Sequence, residues 1–394
     1  MMLNGPFSPW PSFDQEEQEA VARVLASNRV NYWTGEEGRE FEREFAQWTG
    51  TSRAIAVANG TVALDLALKG LKIGPGDEVI VTPRTFIASI STVVNAGAIP
   101  VFADVDLDSG NIFPASIAAV LSPRTRAIIP VHLGGWPADM DGIVEVARPR
   151  GIRVIEDCAQ AHGAKIDGRA VGSIGDVGAW SFCQDKIMTT GGEGGMVTTD
   201  DEALWSAMWS YKDHGKSWAA VYDLQHPPGF RWVHDDFGTN WRMLELQAVI
   251  GRLQLRRMAD WTRRRTAIAM RFHAMLADFK DVIRTPLPDA GMTHAFYRFY
   301  AYVRLERLKS GWHRDRIVAE VTAAGVPLFQ GSCPEVYLEK AFDGTGWRPA
   351  ERLHNARELG ETSLMFLTHP TLTDEEVDRI CETIAQVLKA ATAS

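Results

Sequence analysis

The sequence has few cysteines and no paired cysteine motif. Only Cys158, Cys183, Cys333 and Cys381 occur among 394 residues, and no two form a C-x-x-C pair. This scatter excludes a disulfide framework and the usual zinc-site spacing. No apolar run reaches the ~18 residues that cross a bilayer. The N-terminus lacks the basic start and long apolar core of a secretion signal, so we expect a cytoplasmic protein with no membrane partner.

Positive charge is also scarce. The chain has 41 lysines and arginines against 50 aspartates and glutamates, a net charge of −9. This balance argues against nucleic-acid partners, and any bound phosphate must be held by local donors. The sequence has no G-x-G-x-x-G after a predicted strand, no phosphate loop of the G-x-x-x-x-G-K-[ST] type, no G-x-S-x-G elbow and no H-E-x-x-H. Four common catalytic and nucleotide-binding templates are therefore excluded.

What the sequence does contain is an alternation of short apolar strands and helices up to about residue 200. After two amphipathic helices at 14–27 and 36–48, apolar strands are predicted at 54–58, 79–82, 101–104, 127–131 and 152–156. Helical segments separate most of them. This pattern predicts an α/β fold with a mostly parallel sheet covered on both faces.

A second, smaller unit is predicted toward the C-terminus. A long helix from Leu244 to Leu276 carries many arginines, which we interpret as a solvated or interface face; a binding patch is the alternative. A strand at 296–305 and helices at 313–324 and 373–390 follow, the last capped by Thr373 with Glu376. Since 394 residues exceed one core, we predict a large α/β domain with an N-terminal helical segment at 1–255 and a small α+β domain at 256–394.

One carboxylate stands where open α/β sheets place their ligands. Asp157 follows the apolar strand at 152–156, and Gln160 comes three residues later, on the same side if a helical turn joins them. A carboxylate beside a pyridine nitrogen keeps that nitrogen protonated and turns the ring into an electron sink. Gln160 can hydrogen-bond a ring hydroxyl. The alternative for Asp157 is an ordinary helix N-cap.

A lysine lies between an apolar strand and a turn rich in glycine. Lys186 precedes T189-T-G-G-E-G-G195, whose glycines let the backbone turn beside a bulky ring. A lysine that forms a Schiff base must lose its proton, and we expect burial beside a cofactor to lower its pKa. The alternative is a surface loop lysine. A lysine paired with a distant carboxylate indicates a pyridoxal phosphate enzyme.

A candidate phosphate site lies at the start of a helix. Asn59, Gly60 and Thr61 precede the apolar segment 62–70, and a helix N-terminus offers free N–H groups to an anion. The alternative is that these three are ordinary helix-capping residues. Ser181 can add a hydroxyl to the same phosphate. Phe86 follows a strand end, where it either covers a pyridine face or packs as a core aromatic.

Taken together, these motifs resemble those of the DegT/DnrJ/EryC1/StrS family of sugar aminotransferases, which have the fold of type I pyridoxal phosphate enzymes. The resemblance runs over nearly the whole chain. Its segments are W33-T-G35, F41-E42, N59-G-T-V-A-L64, G74-P-G-D-E-V-I80, T85-F-I-A88, E156-D-C-A-Q-A-H-G163, S181-F182 with Lys186, G192-E-G-G195, H214-G215, N240-W-R-M243 and H369-P-T-L-T-D-E-E376.

The resemblance implies a role for each site residue. Lys186 would bind the cofactor covalently as the catalytic lysine, Asp157 would hold the pyridine nitrogen and Gln160 would lie near the ring hydroxyl. The phosphate would lie on Gly60, Thr61 and Ser181. Asn240 would reach the phosphate from a neighbouring subunit, which implies a homodimer with shared active sites.

The same resemblance implies the reaction. Glutamate would become 2-oxoglutarate, and the amino group would pass to a keto-sugar, a nucleotide-linked 4-keto-6-deoxyhexose or a 3-keto relative. Lys186 stands where a dehydrating branch of the family carries histidine, so amine transfer is favoured. Gly134 and Trp136 stand where relatives often carry a tyrosine and a glutamine. This difference bears on how the sugar substrate is recognised. A keto-cyclitol acceptor and a non-catalytic regulatory protein are the alternatives. Arg242 is a candidate for the glutamate carboxylate, and a structural salt bridge is its alternative.

Overall fold

The computed structural model describes residues 7–392. Within that range the helices are α1 (Gln15–Ala26), α2 (Glu37–Thr49), α3 (Gly60–Gly70), α4 (Ala88–Asn95), α5 (Pro114–Ala119), α6 (Met140–Ala147), α7 (Glu202–Lys212), α8 (Glu245–Leu276), α9 (Arg314–Ala323), α10 (His354–Thr362) and α11 (Asp374–Ala391). The strands are β1 (Arg53–Val57), β2 (Glu78–Val81), β3 (Ile99–Phe102), β4 (Thr125–Ile129), β5 (Arg153–Asp157), β6 (Lys165–Ile166), β7 (Arg169–Ala170), β8 (Val177–Ser181), β9 (Gly195–Thr199), β10 (Ile283–Arg284), β11 (Met292–Thr293), β12 (Arg298–Val303) and β13 (Ser363–Leu367).

The large unit is built on a seven-stranded sheet with the order β1-β9-β8-β5-β4-β2-β3. The pairs β2–β3, β2–β4, β4–β5 and β5–β8 are parallel, whereas β9 runs antiparallel to both β8 and β1. Strands β8 and β9 are buried along their whole length, as expected for a sheet covered on both faces. The predicted α/β fold with a mostly parallel sheet is confirmed.

The small unit carries a three-stranded antiparallel sheet with the order β10-β12-β13. Its apolar face packs against helices α9 and α11 and the second half of α8, through side chains such as Ile317, Val377 and Phe272. A further small sheet pairs β11 with β6 and β6 with β7, so the chain of the second unit returns to the first.

Helix α8 links the two units as one continuous segment of 32 residues. Ala248, Leu255 and Met258 in its first half pack with the helices and strands of the large unit. Ile268 and Phe272 in its second half belong to the core of the small unit. The boundary between 255 and 256 stays a prediction, because an unbroken helix crosses it.

Helix starts follow the predicted capping chemistry. The Asn59 side chain accepts a hydrogen bond from the backbone N–H of Val62 at 2.9 Å and begins α3. Thr373 and Glu376 cap each other at the start of α11, which confirms the predicted pair. Among residues 7–392, no helix combines the length and the apolar composition that a bilayer crossing requires.

Candidate active site

Two adjoining cavities open at the carboxyl ends of β5 and β8. The first has a volume of about 550 Å³ and the second about 470 Å³. Volumes of this size suit a small ligand or cofactor, and strand ends are where open α/β sheets bind ligands. Both cavities share the same central residues, namely Thr85, Phe86, Gln160, Asp185 and Lys186.

Asp157 is the last residue of β5, and its carboxylate lies in the first cavity. Its two oxygens accept hydrogen bonds from the Ser89 hydroxyl at 2.8 Å and from the Ala159 N–H at 3.1 Å. Burial raises the pKa of this carboxyl above its usual value, although both hydrogen bonds and the charge of Lys186 pull that pKa down. Turns follow Asp157 in place of a helix, so the N-cap alternative is wrong.

Gln160 lies beside Asp157, as predicted, but for a different reason. The segment after β5 is a pair of turns, so the assumed helical spacing is wrong. The side-chain oxygen of Gln160 accepts a hydrogen bond from the Gly134 N–H at 2.8 Å. This contact fixes the orientation of the amide, because the oxygen is engaged and the NH₂ group is left to face the cavity.

Lys186 reaches the same space from the turn between β8 and β9. Its amine lies 3.6 Å from Asp185 Oδ1 and 5.3 Å from the centre of the Tyr297 ring. The surface-loop alternative is wrong, because the lysine lines both cavities. Burial pushes the pKa of the amine down, but Tyr297 and Asp185 outweigh it and the net pKa is raised. The lowering expected for an amine beside a cofactor stays a prediction.

The residues of the predicted anion site lie together where α3 meets the end of β8. Gly60 and Thr61 open the helix, and Ser181, the last residue of β8, lies next to Gly60 at the same wall of the first cavity. The backbone of Gly60 comes so close that an added Cβ would lie 2.6 Å from the Ser181 Cβ. Free N–H groups of a helix start and two hydroxyls are thereby gathered at one wall.

Phe86 projects from the loop that precedes α4 into the mouth of both cavities. Its side chain is 69% exposed, although most large apolar residues of the chain are buried. The core-aromatic alternative is therefore wrong. An exposed ring at a cavity mouth is available to cover a flat ligand.

Asn240 and Arg242 line neither of the two cavities. Asn240 is exposed and pairs with the backbone of Asp213. Arg242 donates a hydrogen bond to the buried Asp213 carboxylate at 2.6 Å. Arg242 therefore makes the structural salt bridge that was the alternative to carboxylate binding.

Four residues that the sequence did not single out complete the site: Ser89, Asp185, Tyr297 and Arg298. The Tyr297 hydroxyl donates a hydrogen bond to Asp185. That bond and the neighbouring cations outweigh burial, so the net pKa of the Asp185 carboxyl is lowered. Asp185 adjoins Lys186 in sequence, which was an available signal. Tyr297 and Arg298 lie on the small unit, and strand-like alternation at 296–305 gave no sign of their role.

The unusual glycine at 134 has a structural reason. Gly134 has a φ of +63°, and an added Cβ would lie 2.9 Å from the Tyr300 ring. Tyr300 on β12 thus fills the space that a larger residue 134 would need. Trp136 lies edge-on to His294, 5.6 Å between ring centres, and lines neither cavity.

Comparison with known proteins agrees with the family resemblance of the sequence motifs. A family model described as the DegT/DnrJ/EryC1/StrS aminotransferase family matches residues 11–385. The chain is 38% identical to the UDP-N-acetyl-3-dehydro-alpha-D-glucosamine 3-aminotransferase of Acidithiobacillus ferrooxidans, over 93% of this chain and 92% of the relative.

Solved structures are equally similar in fold. An aminotransferase from Psychrobacter cryohalolentis superposes with a TM-score of 0.97 at 61% identity, covering 98% of this chain and 99% of that one. The PLP form of Spr1654, a candidate sugar aminotransferase from Streptococcus pneumoniae, gives a TM-score of 0.86 at 26% identity over 98% of this chain and 99% of that one. The expected fold of a type I pyridoxal phosphate enzyme is confirmed.

Proposed function

The chain belongs to the DegT/DnrJ/EryC1/StrS family of aminotransferases, and we propose that it moves the amino group of glutamate to a nucleotide-linked keto-sugar. That the protein is a sugar aminotransferase follows from the family. The donor and the acceptor are our proposal. One observation carries the assignment of amine transfer to this site, namely that Lys186 and Asp157 open into a single cavity although 29 positions separate them.

The residues of the first cavity fit pyridoxal 5'-phosphate. The Gly60 backbone and the Ser181 side chain form a cradle with no room for a Cβ. Around that cradle, N–H and hydroxyl groups suit a phosphate, and Thr61 adds one more hydroxyl. Asp157 offers a carboxylate to a ring nitrogen, Gln160 offers an amide to a ring hydroxyl, and Phe86 covers the mouth.

Bound there, the cofactor supplies an aldehyde that condenses with primary amines and a ring that accepts electrons. Asp157 holds a proton on the ring nitrogen, because an anionic carboxylate stabilises a cation beside it. Lys186 Nζ takes the proton from the α-carbon of the donor and later returns a proton to the acceptor carbon. Phe86 and the residues of the small unit limit the access of water.

We propose a homodimer in which Asn240 completes the site of the partner. Asn240 is exposed and lies outside the cavity of its own subunit. The segment before it presents Phe230, Trp232 and Phe237 with exposed fractions of 76%, 84% and 93%. Exposed aromatics clustered in one segment are typical of protein–protein contacts. Among oligomers, dimers with two-fold symmetry are the commonest.

The acceptor is proposed from chemistry shared with relatives. The Acidithiobacillus relative is named for a UDP-linked 3-dehydro sugar, which supports a nucleotide-linked 3-keto sugar, with a 4-keto-6-deoxyhexose as the other candidate. A keto-cyclitol is the alternative acceptor. The alternative to an enzymatic function is a regulatory role without turnover. A cytoplasmic location stays a prediction.

A two-step absorbance assay tests the proposal. Protein loaded with pyridoxal phosphate is mixed with L-glutamate, and we expect its visible absorbance to fall while 2-oxoglutarate appears. Adding a nucleotide-linked keto-sugar should restore the absorbance and yield the amino sugar. Lys186→Ala should abolish both steps, whereas Lys165→Ala, an exposed lysine on β6, should leave both unchanged.

The outcomes separate the candidates. Absorbance restored only by a keto-inositol would favour the cyclitol alternative, and wild-type protein that never reacts with any amino donor would support the regulatory alternative. Full turnover by Lys186→Ala would contradict the central assignment.

A further inference from the structure

We propose that Arg298 binds the α-carboxylate of the amino donor. This inference rests on the proposed function, because it takes the donor to be an amino acid. Arg298 is the first residue of β12 in the small unit, and it lines the second cavity together with Lys186.

Charge selects Arg298 among the cavity residues. An amino acid donor brings a carboxylate two bonds from the amine that reacts, so its binding partner must be a cation near Lys186. Among the described residues that line the two cavities, Lys186 and Arg298 are the positively charged ones. Both lie against the same phenol ring: the Lys186 amine is 5.3 Å and the Arg298 guanidinium carbon 3.9 Å from the centre of Tyr297.

The guanidinium of Arg298 still lacks an anionic partner. One of its nitrogens donates to the carbonyl of Tyr297 at 2.9 Å, and within residues 7–392 no carboxylate lies within 4.0 Å of it. Two acids line the second cavity with Arg298. Asp185 is already engaged by the Tyr297 hydroxyl and by Lys186, and Glu339 forms no ion pair with Arg298 among the described residues. A 93% buried arginine with spare donors is stabilised when an anion fills the site.

Two other buried arginines do not compete for this role. Arg84 and Arg265 are fully buried, and among the described residues their guanidinium nitrogens have no hydrogen-bond partner. Neither lines the two cavities, so a ligand in those cavities does not reach them. Arg298 differs because its side chain borders the open space beside Lys186.

The rest of the second cavity suits a short polar chain. Ser332 lies on the wall formed by the small unit, and Thr85 and Gln160 lie on the wall formed by the large unit. A donor held by its carboxylate on Arg298 therefore has its amine directed toward the Lys186 side. Positioning of this kind converts binding into the correct orientation for reaction.

The test changes the side chain at position 298 and the carboxylate of the donor, separately and together. Arg298→Gln and wild-type protein, both loaded with pyridoxal phosphate, are mixed with L-glutamate, with its α-amide isoglutamine and with its γ-amide glutamine. We expect the variant to lose about 30- to 100-fold in kcat/KM for glutamate, the size of a lost charge-assisted hydrogen-bond pair. Its rates with isoglutamine should fall little, because that ligand has no α-carboxylate to lose.

Controls make the loss specific. Arg304→Gln, at the exposed residue that directly follows the same strand, should behave like wild type. Arg298→Lys should recover part of the glutamate rate, because it keeps the charge. In Arg298→Gln the loss in the glutamate half-reaction should exceed any loss in the second half-reaction, from the aminated cofactor to the keto-sugar. Glutarate binding, measured by calorimetry, should weaken in Arg298→Gln but not in Arg304→Gln.

Each remaining outcome decides the question. Equal losses with glutamate and isoglutamine, loss confined to the sugar half-reaction, or unchanged kinetics would overturn the assignment to the α-carboxylate. If wild type binds glutarate through Arg298 yet never reacts with glutamate, the proposed donor fails while this inference stands. Wild type that neither binds glutarate nor reacts with glutamate would overturn both.

Discussion

The Ser89 hydroxyl donates a hydrogen bond to Asp157 Oδ2 at 2.8 Å and ties the first turn of α4 to the end of β5. Ser89 is buried and also shares a hydrogen bond with Thr85 at 2.9 Å. The contact opposes the effect of burial on the pKa of the Asp157 carboxyl. Ser89 therefore helps to keep Asp157 anionic and oriented toward the cavity.

Ser89→Ala should lower kcat with glutamate about 10-fold, the size of one lost hydrogen bond to a charged group. The pKa of Asp157 should rise further, so the loss should shrink as the pH is raised. Rates are measured by the absorbance assay from pH 6 to 9. Ser91→Ala on the same helix, whose hydroxyl donates a hydrogen bond to the Ala88 carbonyl, should act like wild type. If Ser89→Ala and wild type had the same rate at every pH, Ser89 would have no role in the site.

Gly60→Ala should weaken cofactor binding. The new Cβ would lie 2.6 Å from the Ser181 Cβ, so the start of α3 or the end of β8 must shift. We expect a stability loss of about 1–3 kcal/mol, as for other overpacked sites, and a higher dissociation constant for pyridoxal phosphate by fluorescence titration. Gly74→Ala, where an added Cβ meets only ordinary contact at 3.8 Å, is the control. Unchanged cofactor affinity in Gly60→Ala would contradict the predicted phosphate site.

Mixed dimers should reveal shared active sites. Asn240→Ala and Lys186→Ala chains, coexpressed with different tags, are purified as a heterodimer and assayed with glutamate. If Asn240 acts on the partner, one site of the heterodimer has both an intact Lys186 and an intact Asn240, and activity returns to about half of wild type, one site in two. If Asn240 acts within its own chain, the heterodimer stays as poor as the two parent variants. A monomer in ultracentrifugation would end the dimer proposal.

Acid should destabilise the protein through buried neutral histidines. His162 packs against Trp180 and Phe182, and among the described residues its ring nitrogens have no hydrogen-bond partner. Burial lowers the pKa of this imidazole from 6.5 to about 3. Between those values the unfolded chain binds a proton that the folded chain does not, so stability is complete above 6.5 and falls as the pH falls.

His162→Phe should remove this dependence on pH. At pH 5 the wild type loses about 2 kcal/mol from His162 relative to pH 7, and the variant should lose that much less. Urea unfolding at fixed protein and cofactor concentrations measures the difference. His354→Phe, at an exposed position, should leave the wild-type difference unchanged. Equal pH profiles for wild type and His162→Phe would show that His162 is protonated in the folded protein.

Several site residues could be predicted because local sequence determines their place. Asp157 ends an apolar strand, Lys186 lies in the turn that follows β8, and Asn59, Gly60 and Thr61 form the start of α3. Parallel strands in one sheet end at a common edge, so residues at their ends meet without further information. The prediction for Gln160 was right in place and wrong in mechanism, because turns replace the assumed helix.

The amino-acid sequence by itself determined the α/β class, the strand-end carboxylate, the lysine in its glycine turn and the helix caps, since all depend on neighbours a few residues apart. Only the tertiary structure decided that Arg298 and Tyr297 face Lys186, that Arg242 is taken by Asp213 and that Phe86 is exposed. Those relations join segments more than a hundred residues apart or depend on what is packed nearby. Periodicity along the chain carries no record of such contacts, because they arise from the packing of the small unit against the sheet.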